Sequence, residues 1–184
     1  MEKEAREFLL RYLGASRERL LEGVEGLDGQ QQRFRPSREH WSIADCVEHI
    51  TIVERGVLKQ IQVTLLGTPH PEIRGGTPDD VILASAAVRL PRFVAPVEMR
   101  PRRRWSDFED LVRQFEAARE RTVRFAGITQ ADLRRHFFAH PDFGPLDCYQ
   151  WLLFLGAHCE RHARQAEEVA GDVNFPRLGD SASA

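Results

Sequence analysis

The chain has 184 residues, of which 42% are hydrophobic and 29% charged, enough apolar side chains to bury one core and too many for a disordered chain. Its 26 basic and 28 acidic side chains leave a formal net charge of -2, which excludes the basic surface of a nucleic-acid binder. The longest strongly apolar run, residues 151–157, is far short of the roughly 18 residues that cross a bilayer, so no membrane span is expected.

Residues 1–7 lack the apolar centre of a secretory signal. Cys46, Cys148 and Cys159 are odd in number and irregularly spaced, which suits free thiols in a reducing compartment. A cytoplasmic address is the expectation.

A first helix is predicted over 2–27, where Leu9, Leu13, Leu20, Val24 and Leu27 recur at helical spacing. Gly26, Asp28 and Gly29 end it, and a loop leads through Pro36 to Trp41. Ser42-Ile-Ala-Asp45 has the form of a capping box and opens a second helix over 42–66, apolar on more than one face. Residues 67–104 hold six of the ten prolines, so this reads as a long connection, a lid or crossover whose apolar middle (81–90) is a short helix or a packed extended piece.

A third helix is predicted from a capping box at Ser106-Asp-Phe-Glu109 to Gly127, then a helical turn near 129–133. Gly144-Pro145 is read as the start of a fourth helix running to Ala170, with Pro in the first turn. The expected fold is all-α: a single four-helix-bundle domain over 1–178 with a long connection between helices two and three, which lets those two run parallel. The small polar tail, 179–184, is expected to be disordered.

No Gly-rich phosphate loop, nucleophile elbow, CxxC pair or EF-hand loop is present. Histidine is what remains. His158 and His162 are four residues apart, one turn apart on one helix face, and that face also carries Trp151, Phe154 and Gln165. Such a pair either grips an ion or consists of one core imidazole on a backbone carbonyl and a second at the rim. Glu160 faces away, so this is not a HExxH protease helix. His49, on the second helix, is placed to complete a three-histidine site between helices two and four. It lies off that helix's main apolar stripe, which suggests a rim position near a pocket mouth. Asp45 and Gln165 are candidate partners orienting His49 and His162. His40, His70, His136 and His140 read as solvated or capping residues. So does the arginine run 100–104, whose alternative use is to meet the carboxylates of an anionic ligand.

Trp41-Ser-Ile-Ala-Asp-Cys-Val-Glu-His49 and His158-Cys-Glu-Arg-His162-Ala-Arg-Gln165 together resemble the two motifs of the DinB superfamily. The resemblance implies a bacterial four-helix bundle, often dimeric, in which His49, His158 and His162 bind a divalent ion, often zinc or nickel. It also implies transfer chemistry with a low-molecular-weight thiol such as bacillithiol or mycothiol; other members are labelled metal-dependent hydrolases.

Three neutral imidazoles leave an ion open positions and are compatible with Zn, Ni, Fe or Mn. Such a site can activate either a water or a thiol, and the resemblance makes the leading expectation a metal-dependent S-transferase acting on a small electrophile. The alternatives are a hydrolase using a metal-activated water, or a non-catalytic bundle that binds metal or ligand. No catalytic side chain beyond the three histidines is singled out.

Overall fold

The computed structural model describes residues 1–70, 72–73, 76–87 and 95–177, with the side chains of 85–87 left aside. Six helices occur among them: α1 (Lys3–Val24), α2 (Gly29–Arg33), α3 (Ile43–Thr64), α4 (Asp79–Ala87), α5 (Phe108–Ile128) and α6 (Cys148–Ala170). Short 3₁₀ turns lie at Val97–Met99 and Leu133–Arg135, and strands β1 (Phe137–His140) and β2 (Gly144–Asp147) form an antiparallel hairpin.

The four long helices α1, α3, α5 and α6 make a mostly helical bundle. α6 packs against α1, α3 and α4, and α5 against α1 and α3. Contacts along each pair fix its direction. Arg6 reaches Ala126 and Arg17 reaches Glu116, so α1 and α5 are antiparallel. Tyr149 reaches Ala5 while Arg19 reaches Glu167, so α1 and α6 are parallel. Residues 44–48 of α3 lie near the start of α5 and residues 58–62 near its end. α3 and α5 are therefore parallel, as a long connection permits.

Each long helix follows from its apolar spacing. α1 buries Leu9, Leu13, Leu20 and Val24, and its Tyr12 ring lies over Gly156 of α6, where a Cβ would come within 2.6 Å of the ring. α6 is buried on nearly every side, from Tyr149 to Val169. The core divides into two clusters, one around Leu9, Ile61, Leu146 and Leu152, the other around Leu20, Ile50, Phe115 and Ala163. Between them Arg119 is fully buried. Its guanidinium donates to Leu13 O, the Ser16 hydroxyl, Glu54 Oε2 and Leu155 O at 2.9–3.3 Å.

Several boundaries differ from the sequence reading, and capping explains most of them. Asp28 and Gln31 form a reciprocal capping box, so residues read as a loop make the short helix α2. α5 is capped by Asp107 rather than Ser106, because Asp107 accepts from the N–H groups of Glu109 and Asp110. α6 does not begin at Gly144-Pro145. Asp147 and Gln150 cap each other, and Gly144 and Pro145 belong to β2, opposite His140 and Ala139. The bundle thus carries a hairpin that an all-α reading lacks; a two-stranded sheet is all edge, where Pro is tolerated. The turn expected near 129–133 falls at Leu133–Arg135. In the long connection, 79–87 is helical and Ile82 is fully buried against the core. Residues 88–90 and the predicted tail lie outside the described residues.

Candidate metal centre

α3 begins where Ser42 accepts from the N–H of Asp45 and Asp45 Oδ2 accepts from the Ser42 N–H at 2.8 Å. That start sets the phase of the helix and turns His49 inward, toward α6. α6, phased by its own cap at Asp147, presents His158 and His162 one turn apart. The three imidazoles meet. One nitrogen from each lies within 4.8 Å of the other two, and among the described residues no carboxylate or thiol joins them. His49 Nε2 and His158 Nε2 are 3.2 Å apart. Two nitrogens on one tetrahedral ion, each at about 2.0–2.1 Å, would stand roughly 3.3 Å apart, so this pair has the spacing of two ligands to one ion.

The outer edges of two rings are tied down. His49 Nδ1 is 2.6 Å from Met99 O. A carbonyl only accepts, so the proton sits on Nδ1 and the Nε2 lone pair faces His158. His162 Nδ1 is 2.9 Å from Gln165 Oε1, which directs its Nε2 inward in the same way. Burial lowers the pKa of His49, partly offset by its bond to Met99 O. Burial lowers that of His158 strongly, and the neighbouring His162 and His49 add to the effect. Rings kept neutral are rings with lone pairs to give.

Aromatic groups wall the centre. The Trp41 ring is 4.8 Å from His49 and stacks on His162 at 5.8 Å. Phe154 lies 5.1 Å from His158, and His140 packs edge-on against Phe154 at 4.8 Å. By surface exposure His49 and His162 are buried and His158 is intermediate.

The structure corrects the expectations for His49, Asp45, His136, His140 and the arginine run. His49 is not at a rim, because Trp41 and the Met99 carbonyl cover it. Asp45 does not orient His49: its carboxylate is taken by Ser42 and by Arg35 at 2.8 Å. His136 and His140 are buried rather than solvated, since the hairpin folds them in; His136 Nδ1 meets Asp132 O, and His140 Nδ1 accepts from the N–H groups of Asp142 and Phe143. The arginine run is not simply solvated, because the backbone of 102–104 and the Arg104 guanidinium gather around the buried Glu48 carboxylate. Other readings hold. His70 is exposed beside Glu72, Glu160 faces Tyr12 and Arg19, and the three cysteines are buried thiols that form no disulfide, with burial pushing the Cys159 thiol up to about 11.

The sequence profile of the DinB superfamily matches residues 12–166. The chain belongs to the DinB superfamily. Among curated proteins, this DinB-superfamily chain is 26% identical over 147 residues to the uncharacterized protein YuaE of Bacillus subtilis (strain 168), a match covering 79% of this chain and 87% of YuaE. Among solved structures it resembles YfiT from Bacillus subtilis, described as a probable metal-dependent hydrolase with an unusual four-helix bundle topology. That match has a TM-score of 0.62 and 16% identity, and covers 92% of this chain and 88% of YfiT. At that identity the likeness speaks for the fold. Among the described residues of this DinB-superfamily bundle, no helix is long and apolar enough to cross a membrane.

Proposed function

We propose that this chain is a metal-dependent enzyme in which His49, His158 and His162 hold a divalent ion, and that it transfers a low-molecular-weight thiol to a small electrophile. The observation that carries the reading is the convergence of three imidazole nitrogens with no carboxylate or thiol beside them among the described residues. Zinc and nickel both suit an imidazole set. When bound, the ion supplies a Lewis acid that makes a thiol or a water nucleophilic at neutral pH.

The chain's own groups do the rest. Met99 and Gln165 hold the Nδ1 protons of His49 and His162, so two lone pairs are aimed before any ligand arrives. Trp41 and Phe154 give an apolar wall against which a small electrophile can lie. That no carboxylate joins the three imidazoles among the described residues favours a thiol over water. An attacking water is ordinarily relieved of its proton by a protein base such as the HExxH glutamate, whereas Asp45, Glu48 and Glu160 are each engaged elsewhere. A thiol, with a pKa near 8.5, ionises far more readily. In the transfer a sulfur–carbon bond forms, the bond to the leaving group breaks with its electron pair, and the thiol proton passes to solvent.

Hydrolysis is the second reading, favoured by the description of YfiT. The test begins with elemental analysis of protein purified without chelator or polyhistidine tag, comparing wild type with His158→Ala/His162→Ala. Near-stoichiometric metal that disappears in the variant supports the site; a wild type that takes up neither zinc nor nickel overturns it. The loaded protein is then given bacillithiol or mycothiol with an alkylating electrophile, and separately an activated ester without thiol. Thioether formation supports transfer, ester cleavage supports hydrolysis, and neither points to a binding bundle.

A further inference from the structure

We propose that Glu48 is a positioning residue for the histidine centre: its carboxylate anchors the arm formed by residues 97–104, and the anchored arm holds the Met99 carbonyl that fixes the proton of His49 on Nδ1. The functional consequence rests on reading the three histidines as a metal site; the positioning itself does not.

Glu48 is buried, 3% exposed, yet it forms no bond along its own helix. Its Oε1 accepts from the N–H groups of Arg102 at 2.9 Å and Arg104 at 3.2 Å, and its Oε2 from the N–H of Arg103 at 2.9 Å. The Arg104 guanidinium adds a charged donor at 3.0 Å. The three successive N–H groups converge on this anion where the backbone bends at Arg103, whose φ is 57°. A non-glycine residue is disfavoured there and is held by its surroundings. The resulting concavity is an anion-binding nest, and here the anion is a side chain of the protein itself.

The arm is stiff between the nest and His49. Arg104 also donates to Arg100 O and Glu98 O, and the N–H of Arg100 bonds to Val97 O in the 3₁₀ turn Val97–Met99. The Met99 side chain rests on α3 at Gly56, where an added Cβ would be 3.3 Å from Met99 Cε. Met99 O then lies 2.6 Å from His49 Nδ1. Glu48 and His49 are neighbours in sequence but about 100° apart around α3, so one helix turn grips the arm with one side chain and is itself oriented by the arm through the next. The pairing spans about fifty residues of sequence, which is why a buried glutamate of this kind is easily mistaken for an ordinary capping or surface acid.

The test reads the tautomer directly, in metal-free full-length protein near pH 8, from two-bond ¹H–¹⁵N spectra of the imidazoles; zinc affinity is measured separately by competition with a chelator. Wild type is expected to show His49 protonated on Nδ1. Glu48→Gln, which keeps size but removes the anion, is expected to give a mixture of tautomers and a zinc affinity about ten- to a hundredfold weaker. Arg103→Pro acts from the exposed arm without touching the core. It fixes φ near −65° and deletes the N–H that Glu48 accepts, so it is expected to reproduce the Glu48→Gln spectrum even if that variant folds poorly. Arg103→Gly relieves the left-handed residue and keeps its N–H, and should retain the wild-type pattern. An unchanged Nδ1–H signal in both Glu48→Gln and Arg103→Pro overturns the proposal, even with zinc bound normally by wild type. Mixed tautomers in those variants, with no zinc binding by wild type, would sustain the positioning role and sink the metal reading.

Discussion

Two polar clusters sit inside the bundle, one around Arg119 of α5 with partners on α1, α3 and α6, the other between α3 and α6, and they are finished differently. Around Arg119 the donors and acceptors largely cancel: four of the five guanidinium N–H groups find oxygen, including the Glu54 carboxylate, and only Arg119 Nε and Glu54 Oε1 lack a protein partner. Around His49, His158 and His162 the outer nitrogens of two rings are satisfied while the inner ones face one another. A closed cluster holds helices together. An open one, costly to bury unless something completes it, is where a ligand is expected. Burial alone does not distinguish them; the direction in which valences are left over does.

The largest effect should come from opening the closed cluster. Arg119→Ala leaves Glu54 charged, buried and alone, and should cost about 3–5 kcal/mol in urea unfolding. Replacing both partners, as Glu54→Leu/Arg119→Met, should return most of that loss. A single substitution costing less than 1 kcal/mol would mean that the cluster is not closed as described. The reverse holds at the histidine centre. His158→Ala/His162→Ala should lower the stability of the metal-free protein less than Arg119→Ala does, but should abolish the stabilisation by added zinc, about 2.7 kcal/mol at a hundredfold excess over Kd. Equal zinc-dependent shifts in melting temperature for wild type and variant would remove the distinction between the two clusters.

Acid should separate the clusters as well. Burial lowers the pKa of His49, His140 and His158 below the ordinary histidine value of about 6.5. The unfolded chain therefore binds protons that the folded one refuses. The neutral rings contribute stability fully above about pH 6.5, and that contribution is lost as pH falls through the folded values. Zinc affinity should fall over the same range, since each proton competes with the ion for a lone pair. Chemical denaturation of metal-free protein from pH 8 to pH 5 checks the first point. A flat profile would show that the imidazoles are not held neutral.

Much of this architecture was readable from local pattern. The apolar spacing of Leu9, Leu13, Leu20 and Val24, the Ser42–Asp45 cap and the four-residue interval of His158 and His162 are short-range signals, and the helices they mark lie within a few residues of their expected places. Overlapping signals misled. Ser106 and Asp107 both suit a cap, and only the backbone path decides for Asp107; Pro145 suits a first helical turn until Asp147 and Gln150 cap the helix after it. Long-range contacts left no local trace. Nothing near Met99 announces that its carbonyl meets His49, nothing near Glu48 announces the nest at 102–104, and the burial of His140, read as solvated or capping, was hidden because its neighbours Trp151 and Phe154 belong to α6. Gln165 was legible because it stands three residues from His162 on the same helix.

The finest comparison removes one neutral partner from each cluster. Ser16→Ala takes one acceptor from Arg119 and leaves a buried charged N–H unpaired, so it should cost about 1–3 kcal/mol of stability and leave zinc affinity alone. Gln165→Ala removes the acceptor that orients His162, and should weaken zinc binding about tenfold, near 1.4 kcal/mol, with a smaller change in unfolding free energy. Residues 16 and 165 are both buried and both contribute a side-chain oxygen, so burial does not set the outcome. What differs is the cluster each one serves. Crossed results, with Ser16→Ala weakening zinc and Gln165→Ala weakening only the fold, would show the two clusters to be one coupled network running along α6, and the separation into structural and ligand-binding polar groups would have to be abandoned.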